Sequence, residues 1–424
     1  MHIFFSGIGG TGIGPLALIA KQAGYEVSGS DKQESQYTNY LKNKGINLYI
    51  GQSNQNIYEL NAHEPIDWYV YSSALPLENP NHPELQFVIA NNIKHSKRDE
   101  FLNYFLSQHQ LKLLAFAGTH GKTSSTAMAV WVFKQLNIDI SYSLGAKISF
   151  GDMGQYINDS EYFVYECDEF DRNFLTFKPY ISVLCKVDWD HHEIFPQRSN
   201  YIDAFRQFCM QSNSVIAHGK EISYLDLTKN TNVVEVNDDV IDQIKLPGQH
   251  NRENASAVAT AINKITNIDI SKIIDVLNNY PGSNRRFEHI AHNIYTDYAH
   301  TPEEISATLQ MAKELKNNVI VVYEPLTNRR QHFMIDAYKK VFTNLKALYW
   351  VPSYLAREDP NLPIIEPPQF VETLDASANA KPAELNDDLK NILLSNAKQG
   401  NLVILFAGGG GGSLDEWARK YLVT

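Results

Sequence analysis

Leu111-Lys112-Leu113-Leu114-Ala115-Phe116-Ala117-Gly118-Thr119-His120-Gly121-Lys122-Thr123-Ser124 is the stretch whose reading decides the fold. A short apolar strand runs into a glycine-bounded turn, and a helical pattern follows to about Leu136. Glycines allow a turn whose amides point inward at a helix N-terminus, where the dipole favours an anion. Lys122 adds a point charge for β- and γ-phosphate oxygens, and Thr123 a hydroxyl for magnesium. The spacing is not the common GxxxxGK[ST], because Phe116 stands where its first glycine would be. Strand, turn and helix nevertheless come in the order a phosphate loop needs. The plain alternative is a glycine-rich β–α turn with a surface lysine.

Two neighbouring strands in the same block end in acid. Tyr162 to Tyr165 leads into Glu166-Cys167-Asp168-Glu169-Phe170-Asp171. Like charges this close repel unless a cation or a donor compensates them. Magnesium beside a triphosphate would do so; a solvated acidic loop is the alternative. Ile181 to Val187 leads into Asp188-Trp189-Asp190-His191-His192-Glu193, a second candidate metal face. Further on, His250 and Asn251 offer donors and acceptors suited to a base edge, although Asn251 is equally a helix cap. Ala255, Val258, Ala259, Ile262 and Ile265 then form an apolar stripe at helical spacing, and Pro281-Gly282 marks a stop.

The N-terminal block reads strand (His2 to Ser6), glycine turn (Gly7-Ile8-Gly9-Gly10-Thr11-Gly12), helix (about Ile13 to Ala23) and strand (Glu26 to Gly29), ending at Ser30-Asp31. That is the start of a doubly wound sheet, with Asp31 spaced for a ribose hydroxyl. A tight turn with a capping acid is the simpler reading. Asp67 to Tyr71 ends at Ser72-Ser73, where open parallel sheets present loops to ligands. The C-terminal block alternates again. Ile305, Leu309, Ala312 and Leu315 line a helix, and Val319 to Tyr323, Lys346 to Val351 and Leu402 to Ala407 look like strands. Asp375 to Asp388 is polar and reads as loop and helix start. Arg285-Arg286 suits phosphate and Arg329-Arg330 a carboxylate, unless both pairs are simply solvated. Gly408 to Gly412 followed by Ser413-Leu414-Asp415-Glu416 reads as a glycine loop entering a capping box.

The 424 residues therefore divide into three α/β domains, at 1–109, 110–281 and 282–424. Acidic residues outnumber basic ones, 48 to 37, for a net charge of −11. This argues against a nucleic-acid binder working by bulk charge. Cys167, Cys185 and Cys209 form no CxxC, so neither a zinc site nor a disulfide framework is indicated, and a reduced cytoplasmic setting is expected. Ile3 to Ala23 lacks the basic start of a signal sequence. No apolar run of about 18 residues offers a membrane span.

Taken in order, GIGGTG, GSD, AGTHGKTSST, YECDEFD, DWDHHE, PGQHNRENA, RRFE and DYAHTPEE resemble the Mur ligases of bacterial cell-wall synthesis, from Met1 to about Arg330 and more thinly beyond. The resemblance implies a Rossmann-like UDP-binding domain, a central P-loop ATPase, and a Rossmann-like C-terminal domain for the incoming amino acid or peptide. Gly118, Thr119, His120, Gly121, Lys122, Thr123 and Ser124 would hold the phosphates of ATP. His250 and Asn251 would meet adenine, with Arg286 and Asp297 near the nucleotide. Thr123 and Glu166 would take one magnesium ion and His191 a second. Gly9, Gly10, Gly12, Asp31, Ser72 and Ser73 would serve the UDP moiety of UDP-N-acetylmuramate, with Asp168, Glu169, Tyr298 and Arg330 as further substrate contacts.

His300 is a candidate proton acceptor. The implied co-substrate is a small L-amino acid, L-alanine foremost, joined through an acyl phosphate by a monomer or homodimer. The alternative is the branch that attaches a preformed murein tripeptide: Glu324-Pro325 and Asn328 resemble it, and Thr327 stands where an arginine is usual. An NAD-dependent oxidoreductase would explain GIGGTG and Asp31 but not GTHGKTSST. A non-catalytic nucleotide-binding module would need no acidic cluster.

Overall fold

Short runs rich in Val, Ile, Leu and Phe become strands covered on both faces, as parallel strands under helices must be. The computed structural model describes residues 1–191, 194–355, 361–408 and 412–423. Among these, three sheets follow one another along the chain. The first holds β1 (His2–Ser6), β2 (Glu26–Asp31), β3 (Asn47–Ile50), β4 (Trp68–Tyr71) and β5 (His95–Lys97), all parallel, in the order β3-β2-β1-β4-β5. The strand order reverses beside β1, so the carboxyl ends of β1 and β4 flank the crevice where such sheets take ligands.

The second sheet has β6 (Lys112–Ala117), β7 (Ile140–Ser143), β8 (Gly154–Gln155), β9 (Tyr162–Glu166), β10 (Ile181–Leu184), β11 (Val215–Ala217) and β12 (Val233–Glu235), in the order β12-β11-β10-β6-β9-β7-β8. β6 lies between β9 and β10, with Phe116 opposite Glu166 and Ala117 opposite Leu184. The phosphate loop and both acidic segments thus leave the same edge. The third sheet has β13 (Glu288–Ala291), β14 (Ile294–Asp297), β15 (Val319–Glu324), β16 (Ala347–Trp350), β17 (Ala380–Pro382) and β18 (Leu402–Ala407), in the order β13-β14-β18-β15-β16-β17. Only the β13–β14 pair of this sheet is antiparallel.

The α/β expectation holds, with element ends moved by one to three residues. One element was misread. Ala380–Pro382, inside the polar Asp375–Asp388 segment, is an edge strand paired with Leu348–Trp350. Proline is tolerated there because an edge strand has one side free of ladder bonds. With no β-branched residue and only three positions, it leaves no alternation to detect.

Met1–Ile244 and Asn254–Tyr280 form one compact unit, and Lys245–Glu253 with Pro281–Thr424 form another. In the first unit a single apolar cluster joins both sheets, from Phe5 and Phe101 to Tyr165, Phe174 and Phe205. In the second, β15 separates a cluster around Tyr323, Tyr338 and Trp350 from one around Val322, Leu393 and Leu414. All three cysteines are buried and unpaired. No described helix is long and apolar enough to cross a membrane.

Candidate active site

The loop after β6 needs its glycines. Gly118 has φ +145° and Gly121 +88°, and a Cβ on Gly118 would stand 3.0 Å from the Lys186 carbonyl oxygen. A Cβ on Gly121 would meet Asn254 Oδ1 at 2.6 Å. Asn254, which the sequence reading did not single out, is therefore packed on the phosphate loop. Its signal was weak, an asparagine one helical turn beyond the more conspicuous His250-Asn251. Thr119 N donates to Lys186 O at 2.8 Å, and Thr119 Oγ1 lies 2.7 Å from Tyr201 Oη. His120 N donates to the same carbonyl at 3.2 Å, and Ser124 lies in the first turn of the helix Lys122–Gln135.

Lys122 Nζ donates to Gly118 O at 2.6 Å and to Glu169 Oε2 at 2.7 Å. Burial works against the lysine charge, but the carboxylates of Glu169, Asp168 and Glu166 together outweigh it and raise the pKa. Burial likewise disfavours the Glu169 carboxylate, yet Lys122 and His191 bring its pKa down to about 2. The phosphate lysine thus starts from an internal ion pair.

Within the acidic cluster, basic side chains of the chain itself supply much of the compensation. The carboxylates are dispersed, each with its own partner. Asp168 accepts from Arg98 Nη2 at 3.0 Å, Asp171 pairs with Lys97, and Glu169 takes Lys122 and, at 3.5 Å, His191. Dispersal removes the repulsion without an ion. Glu166 is the exception, since its partners are neutral: Thr123 Oγ1 at 2.8 Å and Gly145 N at 3.3 Å. Among the described residues no three His, Cys, Asp or Glu side chains converge on a metal position. A Thr123–Glu166 pair still fits magnesium, which commonly keeps waters and phosphate oxygens beside one or two protein ligands. His191 donates its amide to Asp190 and is half-turned to Glu169; His192 and Glu193 lie outside the described residues.

In the first sheet the glycine turn is already occupied by its own chain. Gly7 N and Ile8 N donate to Ser30 O, Gly10 N to Gly7 O, and Gly9 N to Asp31 Oδ2 at 2.8 Å. Asp31, the candidate ribose contact, here caps the turn through Oδ2. Gly9 and Gly12 make room for side chains. Their Cβ positions would stand 2.8 Å from Asp31 Oδ2 and 1.7 Å from Arg98 Nη1. Ser72 follows β4, and Ser73 Oγ donates to Asn173 Oδ1 at 3.1 Å. Glu84, also missed, lies buried below this edge and accepts from Ser6 Oγ at 2.6 Å and Ser30 Oγ at 2.8 Å. A cavity of about 650 Å³ lined by Leu106, Lys112 and Tyr180 opens at the amino-terminal end of β6 and is not part of this edge.

In the second unit, Asp297 ends β14 and accepts from Phe287 N and Ala299 N, each at 2.7 Å; burial lifts its pKa to about 6 against the pull of Arg286. Arg285 and Arg286 both lie over the Tyr298 ring. His300 Nδ1 is 2.9 Å from Tyr298 O, which can only accept, so Nδ1 carries the proton and Nε2 the lone pair. Burial lowers the His300 pKa despite Glu304, which keeps the ring neutral. Arg330 Nη1 is buried without a hydrogen-bond partner among the described residues. His250 is half-buried, with its pKa pushed by desolvation to about 4 and its buried Nδ1 unpartnered among the described residues, while Asn251 Nδ2 donates to Pro247 O at 3.0 Å. Asn251 lies inside the helix Gln249–Thr266, so it is not the cap.

The capping box at Ser413 does not form. Its side chain makes no cap bond, and Leu414 N donates to Glu324 Oε1 at 3.0 Å instead. Gly409, Gly410 and Gly411, the middle of the glycine loop, lie outside the described residues.

Three family models match in succession: Mur ligase family, catalytic domain, at residues 2–110; Mur ligase middle domain at 116–233; and Mur ligase, glutamate ligase domain, at 285–410. The UDP-N-acetylmuramate–L-alanine ligase of Clostridium botulinum is 30% identical, the match spanning 96% of this chain and 95% of that protein. Among solved structures, the UDP-N-acetylmuramate–alanine ligase MurC of Thermotoga maritima aligns over 100% of this chain and 98% of its own, with TM-score 0.77 and 24% identity. A murein peptide ligase of Psychrobacter arcticus aligns over the same shares with TM-score 0.66 and 21% identity. At these identities the two structures speak for the fold. With a phosphate loop, a Thr123–Glu166 pair and three sheets matched domain by domain, the chain belongs to the Mur ligase family.

Proposed function

We propose that this protein is an ATP-dependent ligase that joins L-alanine to the carboxylate of UDP-N-acetylmuramate, in the cytoplasm, during peptidoglycan precursor synthesis. The observation that carries the reading is the near-full-length likeness to an L-alanine ligase, and the geometry supports it. A carboxylate is a poor acylating group at neutral pH. Transfer of the γ-phosphoryl of ATP to it gives an acyl phosphate, which the amine attacks at carbon, expelling phosphate.

Lys122 neutralises charge on the transferring group, after exchanging Glu169 for a phosphate oxygen. Thr123 and Glu166 would hold one magnesium ion and His191 a second. Bound there, magnesium supplies charge neutralisation for the phosphates. His250 and Asn251 serve the adenine. On the amine side, the unpartnered Nη1 of Arg330 suits the amino-acid carboxylate, and the neutral Nε2 of His300 suits the proton that the ammonium must lose.

Two of the residues that favoured a tripeptide have partners within the chain. Asn328 Nδ2 donates to Pro363 O, its Oδ1 accepts from Ile365 N, and Glu324 holds Leu414 N. The test is ATP-dependent phosphate release with UDP-N-acetylmuramate and either L-alanine or L-alanyl-γ-D-glutamyl-diaminopimelate. L-alanine is expected to be preferred; a clear preference for the tripeptide overturns the substrate assignment. Binding of NAD in place of UDP-N-acetylmuramate overturns the whole reading.

A further inference from the structure

Arg98 is a charged group that neither the phosphate loop nor the amine side accounts for. It opens the helix Arg98–Gln108 directly after β5. Its side chain is only 15% exposed. Nε donates to Asp99 Oδ2 at 3.3 Å and Nη2 to Asp168 Oδ2 at 3.0 Å. Asp99 is itself fixed, accepting from Tyr165 Oη at 3.0 Å. Two of the three guanidinium nitrogens are therefore anchored, one on its own helix and one on the segment after β9. Nη1 has no hydrogen-bond acceptor among the described residues and lies against Gly12, close enough that a Cβ there would stand 1.7 Å away.

The glycine turn needs such a group. Residues 7–12 include no Lys or Arg. The amides of Gly7, Ile8, Gly9 and Gly10 already have acceptors, and one of these is the negative Asp31. Thr11 N and Gly12 N have no acceptor among the described residues, so the turn offers an anion two amides and no positive side chain of its own. Lys32, next in sequence, is largely exposed and paired with Glu78 at 2.6 Å. Arg98 is the cation that touches the turn, and a guanidinium with an open edge is well suited to phosphate oxygens.

We propose that Arg98, through Nη1 at Gly12, binds the diphosphate of the UDP-sugar and is the residue that selects a nucleoside diphosphate over the bare nucleoside. The proposal rests on the reading of the first sheet as the UDP-sugar site. Asp99 and Asp168 hold the guanidinium plane, so no side-chain search is needed when the ligand arrives.

Calorimetry on the full chain, with UDP and uridine as probes, tests it. The parent protein is expected to bind UDP more tightly than uridine, and Arg98→Gln to shrink that ratio at least tenfold while uridine affinity stays within about twofold. If Arg98→Gln does not fold, Arg98→Gln/Asp168→Asn removes a carboxylate along with its cation, and the same ratio is read. An unchanged ratio overturns the proposal alone. So does an equal weakening of both ligands, which would mean that Arg98 only ties the two sheets together. A parent that binds neither probe overturns the UDP-sugar reading, and the proposal with it.

Discussion

Lys122 Nζ stands 2.7 Å from Glu169 Oε2, and the carboxylate is fully buried. A lysine expected to meet phosphate is thus also the main counter-charge of an internal acid. Lys122→Ala should cost about a thousandfold or more in phosphate release, through lost stabilisation of the transferring group. It should also destabilise the fold by about 3–5 kcal/mol, because Glu169 would remain buried with only His191 and Tyr201 beside it. Lys122→Ala/Glu169→Gln is expected to recover most of the stability and none of the turnover. Denaturant melts alongside phosphate release check both halves; a single variant as stable as its parent would contradict the ion-pair account.

Among the described residues the hydrogen-bond partners of Glu166 are neutral, which leaves its carboxylate for a metal ion. Glu166→Gln should raise the magnesium concentration needed for half-maximal phosphate release by about tenfold or more, roughly 1.4 kcal/mol of lost binding. His191→Ala should move the same way by less, since its imidazole already leans on Glu169. Magnesium titrations that superimpose for parent and both variants would reduce these residues to structural ones.

Glu324 gives a pH signature in the second unit. Burial pushes its pKa from 4.5 to about 7, against the Leu414 amide and Arg285. Below the unfolded value both states are protonated and the group is neutral to stability. Between that value and 7 the unfolded chain releases a proton that the folded chain keeps, so stability falls as pH rises, and above 7 the full penalty applies. Glu324→Gln should therefore stabilise more at pH 8 than at pH 5, by about 2–3 kcal/mol. Equal effects of the substitution at the two pH values would show an ordinary carboxylate.

Arg330 offers a buried, unpartnered Nη1. Arg330→Ala should raise the KM for L-alanine by about ten- to a hundredfold, the range of a charge-assisted hydrogen bond of 1.5–3 kcal/mol. The KM for ATP should change little. Arg330→Lys is not expected to rescue, because an ammonium lacks the planar fork. If L-alanine saturation is unaffected, the amino-acid carboxylate lies elsewhere.

Strand, turn and helix around Gly118–Lys122 were legible because the constraint is local: positive φ at two glycines and an apolar run ahead of them. The central strands of the three sheets were legible for the same reason, whereas short outer strands such as Asn47–Ile50, His95–Lys97, Val233–Glu235 and Ala380–Pro382 were not, since they are defined by their pairing. Partnerships of charge were not legible. Nothing local says that Asp168 meets Arg98 or that Asp171 meets Lys97, since these pairs form where two sheets pack together. The acidic cluster looked like one metal site because spacing shows proximity but not direction. Likewise the spacing of Asp31 does not show that its carboxylate also holds the Gly9 amide.

Gly12 has a consequence for how such sequences descend. The volume that a methyl group would need at position 12 already holds the Arg98 guanidinium. A side chain there must push the guanidinium aside, so the two positions are coupled. A lineage that fills position 12 displaces the arginine from the turn, and one that gives up the arginine frees the space beside the glycine. In relatives the pair should be inherited or lost as a single character, and the glycine there is then a record of the arginine as much as of any phosphate.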